Sequence, residues 1–265
     1  MRGILDPRRT IVHLGSRARS QLDMYRESRI RARVEQSLSK FSPEQIDSDR
    51  IRVISRCTDT HSVDVLRYVN EVRSDMVLQH HVKFCLSEFR RRGVTGVTPD
   101  VDCQTLYALV RALKPKIVVE SGMYYGASAA FILSAMERNG MGTLHSIDLP
   151  SESADAFGTT FGLGCMVPLP VRHRWTVHWG DSRQLLLPLL QGLGEIEMFF
   201  HDSVHTYPFM MWEFTSAWSA LTSGGVLASH DVWRHRVFDD FVSESAPSIV
   251  NADRIYNVGL VVRAR

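Results

Sequence analysis

The 265-residue chain has few cysteines and lacks any long apolar run. Its four cysteines form no Cys-x-x-Cys pair and fit no zinc-binding spacing, so we expect reduced thiols rather than a disulfide framework or a zinc site. No apolar stretch approaches the roughly 18 residues of a membrane span. The first residues, MRGILDPRRT, lack the apolar core of a signal peptide. We therefore expect a cytoplasmic protein with no membrane partner.

Lysine is scarce beside arginine, and the net charge of +2 is divided unevenly along the chain. Residues 1–95 carry a net charge of +7, and residues 96–265 carry −5. A basic arm is typical of nucleic-acid binding. Here, however, arginines alternate with acids, as in the RESR segment at 26–29, which indicates a solvated helix face. Binding of nucleic acid through the arginine-rich arm is therefore a less favoured alternative.

Helical patterns dominate the first part of the chain. We predict a loose arm over 1–20, a helix over 21–41, a break over 41–49 (FSPEQIDSD) and a helical region over 62–93. Gly93 to Pro99 predicts a linker, after which Asp102 is placed to cap another helix. These features predict two domains, with residues 1–95 as an arm and a helical lid or dimerisation region, and residues 96–265 as the main domain.

Seven short strands alternate with helices after residue 115. The predicted strands cover residues 116–120, 143–148, 175–179, 197–201, 226–229, 249–256 and 258–264. The helices between them cover 127–138, 183–190, 207–221 and 237–243, and residues 149–172 predict a long loop. This alternation is typical of an α/β fold with a doubly wound, Rossmann-like sheet. The parallel strands should end at one edge, where ligands bind.

Polar residues follow each of the first five predicted strands. The loop after the first strand, ESGMYYGAS, has two glycines four positions apart, which allow a sharp turn close to a ligand. It matches neither the G-x-G-x-x-G dinucleotide pattern nor a Walker loop, which disfavours a nicotinamide dehydrogenase. Asp148, at the end of the next strand, is placed to accept hydrogen bonds from a ribose diol.

Five segments together resemble class I S-adenosylmethionine-dependent methyltransferases of a small-molecule branch, including sugar and natural-product O-methyltransferases. They are 118–133 (VVESGMYYGASAAFIL), 144–150 (LHSIDLP), 174–181 (RWTVHWGD), 200–214 (FHDSVHTYPFMMWEF) and 224–231 (GGVLASHD). The resemblance covers roughly residues 95–245. It implies that S-adenosylmethionine is the cofactor and that the residues lining its site are Glu120, Gly122, Tyr124, Gly126, Ser128, Asp148, Asp181, Ser182 and Asp202. Asp181 is also suited to be a helix cap.

The motif after the fourth strand departs from this branch. Related enzymes often carry D-G-D-H-S-Y there, and their second Asp acts as a base, whereas this chain has Val204. His205 and His230 are then the candidate catalytic bases, because imidazole titrates near neutrality. Asp202, His230 and Asp231 fall where metal-dependent relatives place a carboxylate triad. Two mechanisms stay open, one assisted by a divalent ion and one metal-free.

We predict a class I methyltransferase with a seven-stranded sheet and an N-terminal helical extension. It would methylate a hydroxyl, or less favourably a nitrogen, of a small-molecule acceptor from natural-product or sugar metabolism. The alternative is the same fold running a non-methylating reaction at a sulfonium or metal site. We also expect a homo-oligomer.

Overall fold

The computed structural model describes residues 29–30, 32–94, 96–150 and 162–264. The chain divides into two compact units, residues 1–41 and residues 42–265. In the first unit, residues 32–38 are helical, as the helix predicted over 21–41 requires. The predicted arm at 1–20 and the start of that helix lie outside the described residues.

The second unit begins with three helices: α1 (Pro43–Thr58), α2 (Ser62–Ser74) and α3 (Met76–Arg92). A break does follow the first helix, as predicted over 41–49, but it ends at Ser42, because Ser42 and Gln45 form a reciprocal capping box that starts α1. The helical region predicted over 62–93 is confirmed but contains two helices. Asp75 ends the first, and its side chain caps the second by accepting a hydrogen bond from the Leu78 N–H.

The sheet region follows α4 (Asp100–Leu113), and all seven predicted strands are present. Its elements are β1 (Ile117–Ser121), α5 (Ala127–Asn139), β2 (Thr143–Asp148), β3 (Trp175–Trp179), α6 (Ser182–Leu193), β4 (Ile196–His201), α7 (Tyr207–Ala220), β5 (Leu221–Ser229), α8 (Val237–Glu244), β6 (Ile249–Ile255) and β7 (Val258–Arg263). β5 is longer than predicted, because the Gly224-Gly225 pair lies inside it instead of forming a turn before it. Of the predicted loop 149–172, residues 151–161 lie outside the described part.

The seven strands form one sheet in the order β3-β2-β1-β4-β5-β7-β6. β1 to β5 are parallel, and β7 runs antiparallel to both of its neighbours. The chain winds outward from β1 to β3 and then returns to β4 on the other side of β1. This switch point is where doubly wound sheets bind ligands. The predicted fold class is thereby confirmed.

Helices cover both faces of this sheet. Adjacent residues of β1, Val118 and Val119, point to opposite faces and are both fully buried. On one face, Leu186 of α6, Phe214 of α7 and Phe238 of α8 share a core with strand residues. Within the described part of the chain, no helix has both the length and the apolar character needed to cross a membrane.

Candidate active site

The carboxyl ends of the parallel strands meet at one edge of the sheet. Ser121, at the end of β1, is in register with Ile147 of β2 and with His201 of β4. His201 is in turn in register with Ser229, at the end of β5. The polar residues that follow these strands therefore share one edge, as the sequence predicts, with the switch point between β1 and β4 at its centre.

The loop between β1 and α5 turns through left-handed backbone. Gly122, Tyr124 and Gly126 have φ angles of +85°, +49° and +87°. A Cβ at Gly122 would lie 2.3 Å from the backbone oxygen of Asp202, and one at Gly126 would lie 2.9 Å from Val167 Cγ2. Both glycines are therefore required by close packing as well as by backbone conformation. The one at 122 brings the loop after β1 into contact with the loop after β4.

Asp148, at the end of β2, holds this loop in place. Its Oδ2 accepts hydrogen bonds from the backbone N–H groups of Met123 and Tyr124 at 2.9 and 2.5 Å, and its Oδ1 accepts one from Leu149 at 2.7 Å. A carboxylate has about four acceptor positions, so Asp148 retains capacity for a ligand hydroxyl. The Tyr124 ring lies against buried Tyr125, with ring centroids 4.2 Å apart, and is itself exposed on the loop.

Glu120 and Ser128 lie beneath the loop and are buried. Ser128 Oγ donates a hydrogen bond to Glu120 Oε1, and Ser146 Oγ donates one to Oε2 at 2.6 Å. Burial raises the pKa of Glu120 to about 7, although both hydrogen bonds act to lower it. These contacts support the loop from inside the fold. Direct contact of Glu120 or Ser128 with a cofactor stays a prediction.

A second buried acid, Glu213 of α7, joins several strand ends. It accepts hydrogen bonds from the hydroxyls of Ser121 at 2.6 Å, Ser182 at 2.8 Å and Ser203 at 3.0 Å. Nδ1 of buried His201 donates to it at 2.5 Å. Burial raises the pKa of Glu213, but His201 and the hydroxyls outweigh burial and lower it. One carboxylate thus fixes the ends of β1 and β4 and the start of α6.

Asp181 and Ser182, after β3, both have structural partners. The Asp181 side chain accepts a hydrogen bond from the Arg183 N–H at 2.9 Å, so its predicted role as a helix cap is confirmed. Ser182 is buried and directs its hydroxyl to Glu213. Contact of either residue with the adenine of a cofactor stays a prediction.

His230, after β5, is held between two carboxylates. Its Nδ1 lies 3.0 Å from Asp202 Oδ1, and its Nε2 lies 3.2 Å from Asp102 Oδ2. Burial lowers the pKa of His230, but the two carboxylates outweigh burial and hold that pKa well above its ordinary value. Burial likewise raises the pKa of Asp202, and His230 and His205 outweigh it and hold that pKa below the ordinary range. The pKa of Asp102 is raised, mainly by burial.

His205 lies between two other carboxylate oxygens. Its Nε2 is 3.5 Å from Asp202 Oδ1 and 3.5 Å from Asp231 Oδ2, and its buried Nδ1 has no hydrogen-bond partner among the described residues. Asp231 has φ +57°, which is uncommon for a residue with a side chain and is typical of functional sites. Its carboxylate accepts hydrogen bonds from Asn257 Nδ2 at 2.9 Å and from Arg234 at 3.3 Å.

The predicted metal ligands Asp202, His230 and Asp231 do lie close together. His230 Nδ1 is 3.0 Å from the first and 3.7 Å from the last of these carboxylates. A histidine ligand needs an unprotonated ring nitrogen, and both nitrogens of His230 face carboxylate oxygens instead. The described residues contain no group of three or more His, Cys, Asp or Glu side chains arranged to hold a metal ion. In this arrangement the three residues do not fit a metal ion.

The sequence did not reveal three further residues of this edge: Asp102, Thr98 and Asn257. Asp102 does not cap α4, as predicted, because Pro99 occupies the cap position and the Asp102 carboxylate is bonded to His230. Thr98 Oγ1 donates to Asp202 Oδ2 at 2.7 Å. The signal for Asn257 is its place in a tight turn between two strands. For Asp102 and Thr98 the sequence holds no spacing signal.

Comparisons with known proteins identify the region that contains this edge. Residues 119–232 match the family model described as a methyltransferase domain. No curated protein sequence matches the chain.

Three solved structures with similar folds are methyltransferases. SAH-bound PaMTH1 from Podospora anserina has a TM-score of 0.54 at 15% identity, over 72% of this chain and 88% of its own. The O-methyltransferase TomG from Streptomyces achromogenes, involved in tomaymycin synthesis and solved with SAM, has a TM-score of 0.54 at 16% identity, over 70% and 90%. An O-methyltransferase from Bacillus cereus in complex with SAH has a TM-score of 0.54 at 14% identity, over 75% and 100%.

At such low sequence identities, the similarity to these structures shows only the fold of this chain. The match to the family model indicates which kind of domain residues 119–232 belong to. Residues 119–232 match a methyltransferase domain, and the chain has the fold of class I S-adenosylmethionine-dependent methyltransferases.

Proposed function

We propose that this enzyme transfers a methyl group to a hydroxyl oxygen of a small molecule, with His205 as the general base. The observation that carries the proposal is the place of His205 at the strand-end edge. Its Nε2 lies 3.5 Å from carboxylates of both Asp202 and Asp231, beside the glycine loop. The two carboxylates stabilise the positive charge that a base in this position acquires when it takes up a proton.

The donor set at the edge fits the proposed cofactor. S-adenosylmethionine carries a sulfonium, an ammonium and a ribose diol, and Asp148, Asp181 and Asp202 offer partly exposed carboxylates along the edge. We propose that Asp148 accepts hydrogen bonds from the ribose hydroxyls, that Tyr124, Gly122 and Gly126 shape the loop beside the cofactor, and that Asp181 lies by its adenine. Ser182, Glu120 and Ser128 contribute from beneath, through the contacts described above.

When bound, the cofactor supplies an electrophilic methyl group on its sulfonium. The residues of this chain then have two tasks, which are alignment of the acceptor oxygen and removal of its proton. His205 takes the proton at a ring nitrogen. Asp202 and Asp231 stabilise the resulting imidazolium. His230 is not available as the base, because both of its nitrogens already face carboxylates.

We do not propose the metal-assisted mechanism, because both ring nitrogens of His230 face carboxylate oxygens and the three predicted ligands do not fit a metal ion in this arrangement. We also propose that the helical region over residues 1–95 serves as a lid or a dimer surface for the domain over 96–265, and that acceptors from natural-product or sugar metabolism fit best.

The test uses the full-length protein. Isothermal titration should show binding of S-adenosylmethionine and S-adenosylhomocysteine, and methyl-labelled cofactor should transfer its label to some member of a panel of hydroxylated sugars and polyketides. His205→Gln should keep the affinity for S-adenosylhomocysteine and lower label transfer by about 10²–10⁴-fold. His173→Gln is the matched control, because His173 is exposed and precedes β3, at the opposite edge of the sheet.

Each alternative gives a different result. No binding of either cofactor form at millimolar concentration would refute the proposal. Binding without label transfer to any acceptor, together with another product, would favour a non-methylating reaction in the same fold. Steeply salt-dependent binding of RNA or DNA would favour the nucleic-acid alternative.

A further inference from the structure

Two cysteines from distant parts of the sequence have their side chains in contact. Cys85 lies on α3 and is buried, whereas Cys165 lies in the segment between β2 and β3 and is partly exposed. Their thiols are hydrogen-bonded to each other, and both are free in this structure. The fold therefore places two reduced sulfurs side by side.

This contact belongs to a row of contacts along α3. His81, Cys85 and Phe89 follow one another at intervals of four positions, so they share one face of the helix. His81 Nε2 lies 3.0 Å from the carbonyl oxygen of Cys165. The Phe89 ring packs against the ring of Tyr125, with centroids 4.5 Å apart. The contacts one turn before and one turn after Cys85 therefore hold the two sulfurs together.

The segment between β2 and β3 also supports the glycine loop after β1. The Gly164 N–H donates a hydrogen bond to the Tyr124 carbonyl at 3.0 Å. The Met166 N–H donates one to the Tyr125 carbonyl at 2.9 Å. A Cβ at Gly126 would lie only 3.2 Å from Gly164 Cα, so the loop and the segment are closely packed. A displacement of the segment is therefore transmitted to the loop.

The hydrogen bond between the thiols makes this pair the most reactive of the four cysteines. It lowers the pKa of Cys85, although burial acts in the opposite direction, and it raises the pKa of Cys165. Burial raises the pKa of both Cys57 and Cys103. Because the thiolate is the form that attacks oxidants, Cys85 is the sulfur suited to react first.

We propose that hydrogen peroxide converts Cys85 and Cys165 into a reversible disulfide, and that this bond weakens binding of the cofactor. Cys85 attacks one peroxide oxygen, the O–O bond breaks, and a sulfenic acid and one water molecule are formed. Cys165 then attacks the sulfenic sulfur, the S–O bond breaks as the S–S bond forms, and a second water molecule leaves. The two thiols lose two electrons and two protons, and the peroxide takes them up.

The disulfide changes the spacing between α3 and the segment that supports the glycine loop. Bonded sulfurs lie about 2.05 Å apart, which is closer than any hydrogen-bonded contact. The segment is therefore drawn toward α3, and it pulls on the carbonyls of Tyr124 and Tyr125 in the loop. The effect on cofactor binding rests on the proposed function, whereas formation of the disulfide does not.

The first test looks for the bond in the full-length protein, which is reduced and then treated with hydrogen peroxide. After the remaining thiols are blocked and the protein is digested with trypsin, mass spectrometry should find peptide 84–90 joined to peptide 139–172 with the loss of two hydrogens. Cys57→Ala, a change of a buried cysteine on α1, should keep this link, and Cys165→Ser should abolish it. Treated wild type without the link, or with the link only in covalent dimers, would overturn the proposal.

The second test measures the affinity for S-adenosylhomocysteine on the same samples by isothermal titration. The oxidised wild type should bind at least about fivefold more weakly than the reduced wild type, and dithiothreitol should restore the affinity. Cys165→Ser should bind equally well before and after peroxide, which controls for oxidation of methionine. Equal affinity of the linked and the reduced wild type would contradict the proposal. If the reduced wild type does not bind at all, the proposed function fails, and the linked peptides alone decide whether the disulfide forms.

Discussion

Replacing Glu120 by Gln should make the free energy of unfolding of the protein less dependent on pH. Glu120 is fully buried beneath the glycine loop, and its pKa rises from an ordinary value of 4.5 to about 7. Ionisation is therefore less favourable in the folded chain than in the unfolded chain. The stability associated with the neutral acid is fully present below the unfolded pKa and is lost as pH rises through the folded pKa.

The magnitude follows from the two pKa values. One pKa unit corresponds to about 1.4 kcal/mol, so the interval from 4.5 to about 7 corresponds to about 3 kcal/mol of unfolding free energy. Gln has nearly the same shape and never ionises. It can still accept a hydrogen bond from Ser128 and can donate one to Ser146 Oγ. The variant should therefore gain about 3 kcal/mol over the wild type between about pH 5 and about pH 8.

Urea unfolding of both proteins at several pH values across that range measures this difference. Glu244→Gln, at the exposed end of α8, serves as the control. Its free energy of unfolding should differ from that of the wild type by the same amount at every pH in this range. The reasoning is refuted if the free-energy difference between Glu120→Gln and the wild type is constant from about pH 5 to about pH 8. A change of the opposite sign would mean that the two serine hydroxyls outweigh burial.

Three further substitutions test the contacts that build the edge. Gly122→Ala should destabilise the fold by about 2–4 kcal/mol in urea unfolding, because its Cβ would lie 2.3 Å from the Asp202 backbone oxygen at a left-handed φ. Glu213→Gln should cost about 3–5 kcal/mol in the same measurement, because it breaks the buried pair with His201 and removes an acceptor of serine hydroxyls. Asp148→Asn should weaken binding of S-adenosylmethionine at least about tenfold in isothermal titration, because it loses charge-assisted hydrogen bonds to the loop.

Matched controls exist for each of these substitutions. Gly192→Ala adds a Cβ that meets no atom within 4 Å, so it should leave stability nearly unchanged. Glu195→Gln alters an exposed acid and Asp64→Asn a half-exposed one, and neither should change unfolding or cofactor affinity beyond about 0.5 kcal/mol. A stable Gly122→Ala, a Glu213→Gln no weaker than its control, or an Asp148→Asn with unchanged affinity would each contradict the contact concerned.

The strands were predictable because a short apolar run between turn residues has few other interpretations. Each of the seven lies where its pattern placed it, and β1 differs from its predicted range by one residue at each end. The helix α1 was missed because Ser42-Pro43 was taken as a break. The same residues, with Gln45 three positions after Ser42, make a capping box, and a proline suits the first turn of a helix.

Within the site, the sequence predicted the residues that directly follow strands and missed their partners on helices. Asp202, His205, His230 and Asp231 were found because strand ends meet at one edge. Asp102 precedes His230 by 128 positions, and no periodicity connects two such residues. Glu213 was not singled out, although a single acid among bulky residues is itself a sign of a buried partner.

Contact between the loop after β1 and the loop after β4 joins the glycine loop to Asp202, which lies beside the proposed base, His205. Gly122 permits this contact, since any Cβ there would strike the backbone of Asp202. The backbone N–H of Asp202 also donates to the Ser121 carbonyl at 2.8 Å, and that of Gly122 donates to the Ile147 carbonyl at 2.9 Å. The backbone of Asp202 is therefore held by the glycine loop. Its carboxylate is held by His230, which in turn contacts Asp102. One carboxylate is thus fixed from both directions beside His205, and these contacts connect the helix before the sheet to the strand-end edge.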